Sequence, residues 1–472
     1  MTRLLWTEMR RGETKWVAAV IAAVGLWHFA GDDASTSDWI GWWAQTAVEV
    51  QVFAVMVMGP MTSAAAAWTA GRTHRFGTLD WAATGARGAW TQAVVVWASA
   101  MVWALAAYAL FAAVAYARTA GVSAVTAPVW SPLLLGAAVI GLQAAAGVAA
   151  GSLVPSRIVA PLVGVAWYGL LVALALSGAD GTGPAALVPA IDEHWDMAFQ
   201  PRTGRLLTAA AWCLSAALCL LALPALLRRR STRPRLVALL PPVLVAAVCA
   251  GTLVTYRPAQ PELAWAVHTP QPDRPACATA GRTTACLWPD DRHLLPAARG
   301  AVEAVDAALA SVPGLNRTFH ERGLRPADPA TAGELPVMSP GTSRQDLTDQ
   351  MMSASLPQPP SGCDLPLMAE TGGYPGTFFL EAVVRGRAGS PAPFWSEQFD
   401  AALQRFTAAP RAAQDRWIED AAGAVRACRP MPALPKAAAP PAKAGAPGAA
   451  GTPSDTPGGA PGGAGPARGS GS

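Results

Sequence analysis

Seven long apolar segments fill the first half of this chain and leave few folds open to it. They lie at about 16–31, 40–70, 88–117, 130–154, 158–179, 206–227 and 236–256. A bilayer core about 30 Å thick is crossed by about 20 helical residues. Because lipid offers the backbone no hydrogen-bond partner, each segment is expected to be a helix. The sequence therefore predicts an all-α polytopic membrane bundle of about seven spans over 16–256, with an interfacial helix at 1–15 before it.

The basic residues of the loops predict which way the bundle is oriented. The loops on the side of the N-terminus carry Arg3, Arg10, Arg11, Lys15, Arg72, Arg75, Arg87, Arg157, Arg228, Arg229, Arg230, Arg233 and Arg235. The short loops on the other side carry Arg118, Arg202 and Arg205. The positive-inside rule then places the N-terminus inside and everything after Arg257 outside. The Ala, Gly and Arg usage is typical of a GC-rich bacterial genome, so we expect the bacterial cytoplasmic membrane. The net charge of +4 is modest, and we expect no nucleic-acid partner.

The second half of the chain predicts one small domain and a tail. Residues 257–430 are long enough for a helix-rich α+β extracytoplasmic domain. Strands are predicted at 262–268 and 284–288 on either side of a turn, and helices at 294–312, 344–355, 378–384, 394–406 and 411–428. Residues 431–472 are Pro, Ala, Gly and Ser with almost no large apolar side chain, so a disordered tail is expected.

Four cysteines lie in this second half: Cys277, Cys286, Cys363 and Cys428. Outside the cell they are expected to form two disulfides, and three pairings are possible. We favour Cys277–Cys286 across a short hairpin and Cys363–Cys428 holding the last helix. Free thiols or a metal site are the alternatives, but the sequence has no C-x-x-C spacing and no nearby pair of histidines.

Motifs of known chemistry are missing from the sequence. It contains no G-x-x-x-x-G-K-[ST] phosphate loop and no G-x-S-x-G nucleophile turn. The pair His320-Glu321 lacks the second histidine of a zinc protease. No paired acid, Ser/Lys pair or histidine cluster is visible, so we expect a protein that is not an enzyme and has no cofactor in this chain. Any ATP would be bound by a partner subunit.

The most notable polar residue of the apolar half is Glu49, inside the second segment. An ionisable group within a membrane is costly unless it faces the bundle interior or water. With Gln45 one turn earlier, and with His28, it is predicted to line a translocation path. A structural hydrogen bond between helices, or a wet position near the surface, is the alternative.

The loop after the second segment carries Phe76, Leu79, Asp80 and Trp81 among basic residues. Apolar side chains exposed in a basic loop indicate a docking surface, although the loop could instead pack on its own bundle. The segment before it, 40–70, would measure roughly 46 Å as a helix at 1.5 Å per residue and should tilt or project. Gly59-Pro60 within it predicts a kink.

This layout resembles the permease subunits of type-2 ABC exporters. The stretch from Met58-Gly59-Pro60 to Gly71-Arg72, followed by the loop 76–86, is similar to actinobacterial members, and the resemblance covers about 1–228. It implies six spans forming half of a dimer, with a second copy or a sister permease. It also implies that Phe76, Leu79, Asp80 and Trp81 form a coupling loop for a cytoplasmic ABC ATPase, and that the loop before the sixth span is an outer gate.

The seventh segment and the external domain are not part of that core family. The stretch Cys286-Leu-Trp-Pro-Asp290 resembles domains of unknown function that are attached to such permeases. The resemblance implies a permease-like subunit that exports an amphiphilic or lipid-like compound and has membrane lipid as a partner. The alternative is a membrane-anchored receptor or envelope-assembly protein that acts through its external domain.

Overall fold

The computed structural model describes residues 2–31, 39–77, 89–123, 127–176, 182–189, 198–227, 233–258, 263–326, 328, 332–360, 362–363, 367–368, 371, 373–390 and 396–436. This part of the chain is mostly helical, with small sheets. An apolar bundle precedes a C-terminal domain that has its own hydrophobic core.

Each predicted apolar segment contains a helix. The bundle consists of α1 (Thr2–Arg11), α2 (Thr14–Ala30), α3 (Trp43–Phe53), a π-helical segment (Ala54–Met58), α4 (Gly59–Ala70), α5 (Arg72–Arg75), α6 (Ala89–Ala120), α7 (Ser131–Leu153), α8 (Val159–Leu176), α9 (Thr203–Leu227) and α10 (Arg233–Thr255). A single turn of 3₁₀-helix covers Gly183–Leu187.

Within the described residues, four helical stretches are long and apolar enough to cross a membrane: Trp43–Ala70, Trp90–Ala120, Ser131–Leu153 and Thr203–Leu227. The length and apolar composition of the helices therefore do not support the expected seven spans. The other three segments form shorter apolar helices, Thr14–Ala30, Val159–Leu174 and Leu239–Thr255. Seventeen helical residues, as in α2, rise only about 26 Å, less than a bilayer core of about 30 Å.

The second segment is one long helix with a predicted irregularity in its middle. Over Ala54–Met58 the helix widens to a π-turn, and the amide of Gly59 donates to the carbonyl of Ala54, five residues back. Pro60 follows and has no N–H, so the next bond of that series cannot form. A π-turn beside proline is a recognised cause of a local change in helix geometry.

The two ends of the bundle can be told apart by their contacts. At one end, called the α1 end, Glu8 forms an ion pair with Arg72 of α5. At the other end, called the domain end, Arg118 donates to the carbonyl of Gly31 at 3.1 Å. Gly41, also at the domain end, lies against Pro340 of the C-terminal domain.

The C-terminal domain is built on a four-stranded sheet in the order β3-β4-β5-β6. Its strands are β3 (Ala276–Ala280), β4 (Thr283–Leu287), β5 (Thr318–Glu321) and β6 (Ala332–Leu335). Its helices are α11 (Leu295–Leu309), α12 (Arg344–Ala354), α13 (Gly376–Arg387), α14 (Glu397–Thr407) and α15 (Arg411–Arg426), and a small ribbon joins β7 (Leu367–Met368) to β8 (Tyr374–Pro375). The β3–β4 pair is antiparallel, whereas β5 is parallel to both of its neighbours.

The strand predicted at 262–268 is paired outside the four-stranded sheet. Ala266–His268 forms β2, which pairs antiparallel with β1 (Phe199–Pro201), the segment that enters α9. The hairpin partner of β4 is β3, and Gly281 at the turn has φ +54°, a conformation that favours glycine. Strands thus occur within both predicted segments, but β3 lies between them in the chain and was not predicted as a strand.

Both disulfides join the pairs that the spacing favours. Cys277 and Cys286 face each other across the β3–β4 ladder, and Cys363 is bonded to Cys428 just after α15. The disordered tail was predicted to begin at residue 431. Its first two large apolar side chains, Met431 and Leu434, instead pack on the core of the C-terminal domain. Residues 437–472 lie outside the described part.

Candidate functional site

Helices α4 and α7 touch backbone to backbone in the middle of the bundle. A Cβ atom on Gly147 would lie 2.1 Å from the carbonyl oxygen of Ser63, and one on Gly151 would lie 2.1 Å from that of Ala67. Only glycine fits at either position of α7. Such close approach is how membrane helices associate, because lipid gives no hydrophobic force between them.

The sequence contains the signal for this contact. Small residues recur every fourth position on α4 and the turn after it, and Gly147 and Gly151 form a G-x-x-x-G pair on α7. The residues of the first row are Gly59, Ser63, Ala67 and Gly71. Spacing alone could have identified this pair of surfaces, which the sequence analysis did not consider.

Gln143 stands one turn before Gly147 and fills the gap that Pro60 leaves in the helical ladder. Its side-chain amide donates to the carbonyl of Val55 at 3.4 Å. In the π-turn pattern this carbonyl would accept from the N–H of residue 60, which proline lacks. Gly59 makes room for the amide, because a Cβ there would lie 1.3 Å from Gln143 Oε1. The hinge of the second helix is thus held by a side chain from α7.

Several polar atoms around this hinge are buried without a partner. Within the described residues, both polar atoms of Gln51, the hydroxyl of Ser63 and Gln143 Oε1 have no hydrogen bond. Gln51, Ser63 and Gln143 are fully buried. Buried polar groups in proteins are normally paired, because an unmet one costs about 1–3 kcal/mol. We call Gln51, Ser63 and Gln143, which lie along the contact of the second helix with α7, the polar seam. It offers neutral donors and acceptors inside an otherwise apolar bundle.

The residues predicted to line a path are partly brought together. The Gln45 amide donates to Glu49 Oε1 at 3.0 Å within α3; Gln45 is buried and Glu49 is half-buried. His28 is exposed and stacks on Phe53, one turn beyond Glu49, with ring centroids 5.8 Å apart. The seam residue Gln51 was not among the predictions, since a single neutral amide gives little signal in the sequence.

The predicted coupling loop begins on a well-fixed base at the α1 end. Phe76 directly follows α5 and is 73% exposed. In the turns before it, Arg75 lies over the ring of Trp68 at 3.9 Å, and His74 Nε2 is 2.8 Å from the carbonyl oxygen of Ser152. The other predicted members, Leu79, Asp80 and Trp81, lie outside the described residues. Phe76 therefore presents an exposed ring next to a basic turn.

At the domain end, the C-terminal domain is fixed to the start of α9. The guanidinium of Arg205 contacts two rings, 4.3 Å from the centroid of Tyr256 and 4.4 Å from that of Trp265. The amide of Arg202 donates to the Trp265 carbonyl at 2.8 Å, next to the β1–β2 ribbon. Contacts of a guanidinium with aromatic rings are stabilising when the group is buried, as Arg205 is. We call this arrangement the arginine clamp.

The C-terminal domain also contains a buried pair of carboxyl groups, although no paired acid was visible in the sequence. Asp291 and Glu321 are hydrogen-bonded to each other and are almost fully buried. Burial raises the pKa of Asp291 to about 6, and burial with the neighbouring Asp291 raises the pKa of Glu321 well above its ordinary range. Glu321 accepts from the amides of Trp288 at 2.9 Å and Met338 at 3.4 Å. The raised pKa values favour a proton shared by the pair, and Glu321 joins the turn after β4 to the segment after β6.

No group of three or more His, Cys, Asp or Glu side chains suited to a metal ion occurs in the described part of the chain. Comparison with known proteins adds no relative: no family model, curated protein or solved structure matches this chain.

Proposed function

We propose that this protein is the permease-like subunit of an ABC transporter and exports an amphiphilic or lipid-like compound with the help of a separate cytoplasmic ATPase. In this proposal the N-terminus is inside, all seven apolar helices cross or enter the membrane, and the C-terminal domain is outside. The subunit acts with a second copy of itself or with a sister permease.

The observation that carries the proposal is the interrupted second helix. One continuous run of chain joins the exposed ring of Phe76 to the π-turn at 54–58, and α3 continues it to the domain end. A push by an ATPase on Phe76 would reach the hinge directly. Bistable helix packings are the usual means by which such a local event becomes a change of state.

The chemistry of the seam supports the substrate class. The seam is closed in this structure; once the bundle opens, its amides and hydroxyl, which carry no charge, would suit a polar but uncharged head group, and apolar residues surround them. The outer face of α8 is apolar and exposed at Leu162, Val165 and Tyr168, each more than half exposed. Lipid tails or a second copy of the chain would cover that face.

Co-purification in mild detergent, followed by an export assay, tests the proposal. Phe76→Asp should abolish both recovery of an ATPase and export, because a charge replaces the exposed apolar contact. Val154→Asp is the matched control, since Val154 is a 46% exposed apolar residue in the turn after α7. If no ATPase is recovered with the native chain, or if Phe76→Asp leaves export intact, the proposal is wrong.

A membrane-anchored receptor or envelope-assembly protein is the second candidate, and the arginine clamp favours it, because the clamp would carry a signal from the C-terminal domain into α9. Removal of residues 270–472 leaves Arg205, Tyr256 and Trp265 in place. Export should partly survive this deletion if the bundle is a permease. All activity should vanish if the C-terminal domain is the working part.

A further inference from the structure

The C-terminal domain has a cleft that neither function hypothesis uses. It lies between α12, α13, the edge strand β6 and the segment 356–359, and its volume is about 720 Å³. Sites for small molecules commonly enclose about 300–1,000 Å³. The cleft is therefore large enough for an organic ligand.

The charges around the cleft are strongly biased. Its lining includes the carboxylates of Glu334, Asp346, Asp349 and Glu381, against the single guanidinium of Arg385. Two of its nitrogens face carboxylates, since Nη2 donates to Asp349 at 2.9 Å and Nη1 is 3.8 Å from Glu381, whereas Nε is buried without a partner among the described residues. Arg322, outside the lining, donates to Glu334 at 3.1 Å, so the carboxylates still outnumber the arginines. An anion would meet net repulsion here, whereas a cation would be attracted.

The lining also contains a buried acceptor without a donor. Gln350 Oε1 is buried and has no donor among the described residues. The hydroxyl of Ser353 already donates to Glu381 at 2.7 Å. Since buried acceptors are normally satisfied, Gln350 Oε1 can take an N–H group of a ligand, and the carboxylates of the lining can accept further ones. Phe378, 39% exposed, adds an aromatic face at the same place.

We propose that this cleft binds a small organic cation, an ammonium or guanidinium group carried on an apolar or aromatic body. The carboxylates of Glu334 and Glu381 face the positive charge of the ligand. Among the carboxylates that form ion pairs with arginine, these two are the most exposed. Phe378 packs on the apolar body or on the cation itself. The proposal does not depend on export by the bundle.

Calorimetric titration of the full chain in nanodiscs of zwitterionic lipid tests it. The probe is Nα-benzoyl-arginine amide, and its neutral isostere Nα-benzoyl-citrulline amide keeps the shape without the charge. We expect saturable binding of the arginine probe, weaker at high salt, with the citrulline probe at least about tenfold weaker. Equal binding of the two probes would overturn the proposal, and so would no binding of either the arginine probe or phenethylammonium at millimolar concentration.

Two variants locate the site. Glu381→Gln combined with Glu334→Gln keeps side-chain size and should weaken the arginine probe by about tenfold, because charge-assisted contacts are lost. Glu303→Gln is the matched control, since Glu303 is an exposed carboxylate on α11 outside the cleft. A loss of affinity in the control equal to that in the double variant would place the binding elsewhere and contradict the assignment.

Discussion

The side-chain amide of Gln143 lies where a side chain on Gly59 would have to stand, because Oε1 would be only 1.3 Å from a Cβ atom there. The glycine of one helix and the glutamine of the other are therefore a matched pair. Because Gly59 has no side chain, the Gln143 amide can donate a hydrogen bond to the carbonyl of Val55.

Gly59→Ala should destabilise the bundle although alanine is the better helix former. The methyl group forces Gln143 away and leaves the Val55 carbonyl unsatisfied, at a cost of about 1–3 kcal/mol. The gain in helix propensity is only about 1 kcal/mol. In a Gln143→Ala background the same substitution should become neutral or stabilising. Thermal unfolding of the four variants in detergent measures this, and equal effects in both backgrounds would refute the coupling.

Gly147→Ala should lower the thermal midpoint, because its methyl group would overlap the Ser63 carbonyl, and overpacking of this kind costs about 1–3 kcal/mol. Gly169→Ala adds the same methyl group to α8, where no atom lies within 4 Å, and should be harmless. Comparing the midpoints and the size-exclusion profiles of the two variants checks the prediction. Similar losses would mean that the contact of α4 with α7 is not as close as described.

Arg205→Lys should loosen the arginine clamp while keeping the charge. A lysine ammonium cannot make the same contacts with Tyr256 and Trp265 as the planar guanidinium does. Backbone amides of β2 should then exchange hydrogen faster, and amides of β3 and β4 should not change. Arg257→Lys, at an exposed arginine, is the control. Unchanged exchange in β2 would show that the ribbon holds without the clamp.

A rise in pH should lower the local stability of the C-terminal domain around Asp291 and Glu321. The pKa of Asp291 is raised from an ordinary value of 3.8 to about 6, and that of Glu321 is raised as well, so the folded state binds protons more tightly than the unfolded state. The resulting stability is present below about pH 4 and is lost as the pH rises through 6 and beyond. Exchange protection of the Trp288 and Met338 amides, corrected for intrinsic rates, should fall over this range.

Asp291→Asn should flatten that dependence, since the amide can donate to Glu321 without bringing a second negative charge. Asp290→Asn removes a neighbouring charge that has only a minor influence on the pKa of Asp291, so most of the pH dependence should remain. Protection that increases with pH in the native chain would contradict the assignment of a shared proton.

The apolar helices could be predicted because their signal is local. Each segment of lipid-compatible residues must satisfy its own backbone, and the positions follow from composition alone. The Cys277–Cys286 bond was predictable for a similar reason, because a separation of nine positions is just enough for two short strands and a turn between them. The number of membrane spans was harder to predict, because it depends on the length of each helix. The residues that end a helix give only a weak signal in the sequence.

Contacts between distant residues could not be read in this way. Asp291 and Glu321 lie 30 positions apart and meet only because β5 packs beside the turn after β4. The partner of β2 is β1, which precedes two long helices. Nothing in the composition of either strand specifies the other. The polar seam has the same origin, since Gln51 and Gln143 acquire their importance only once α3 and α7 are adjacent.

The β1–β2 ribbon has a mechanical consequence for the whole molecule. It joins the chain just before α9 to the chain just after α10, and so closes a helical hairpin into a ring. Neither helix can slide along its axis without dragging the other and the folded module beyond them. Any parting of the helices at that end must therefore leave α9 and α10 together.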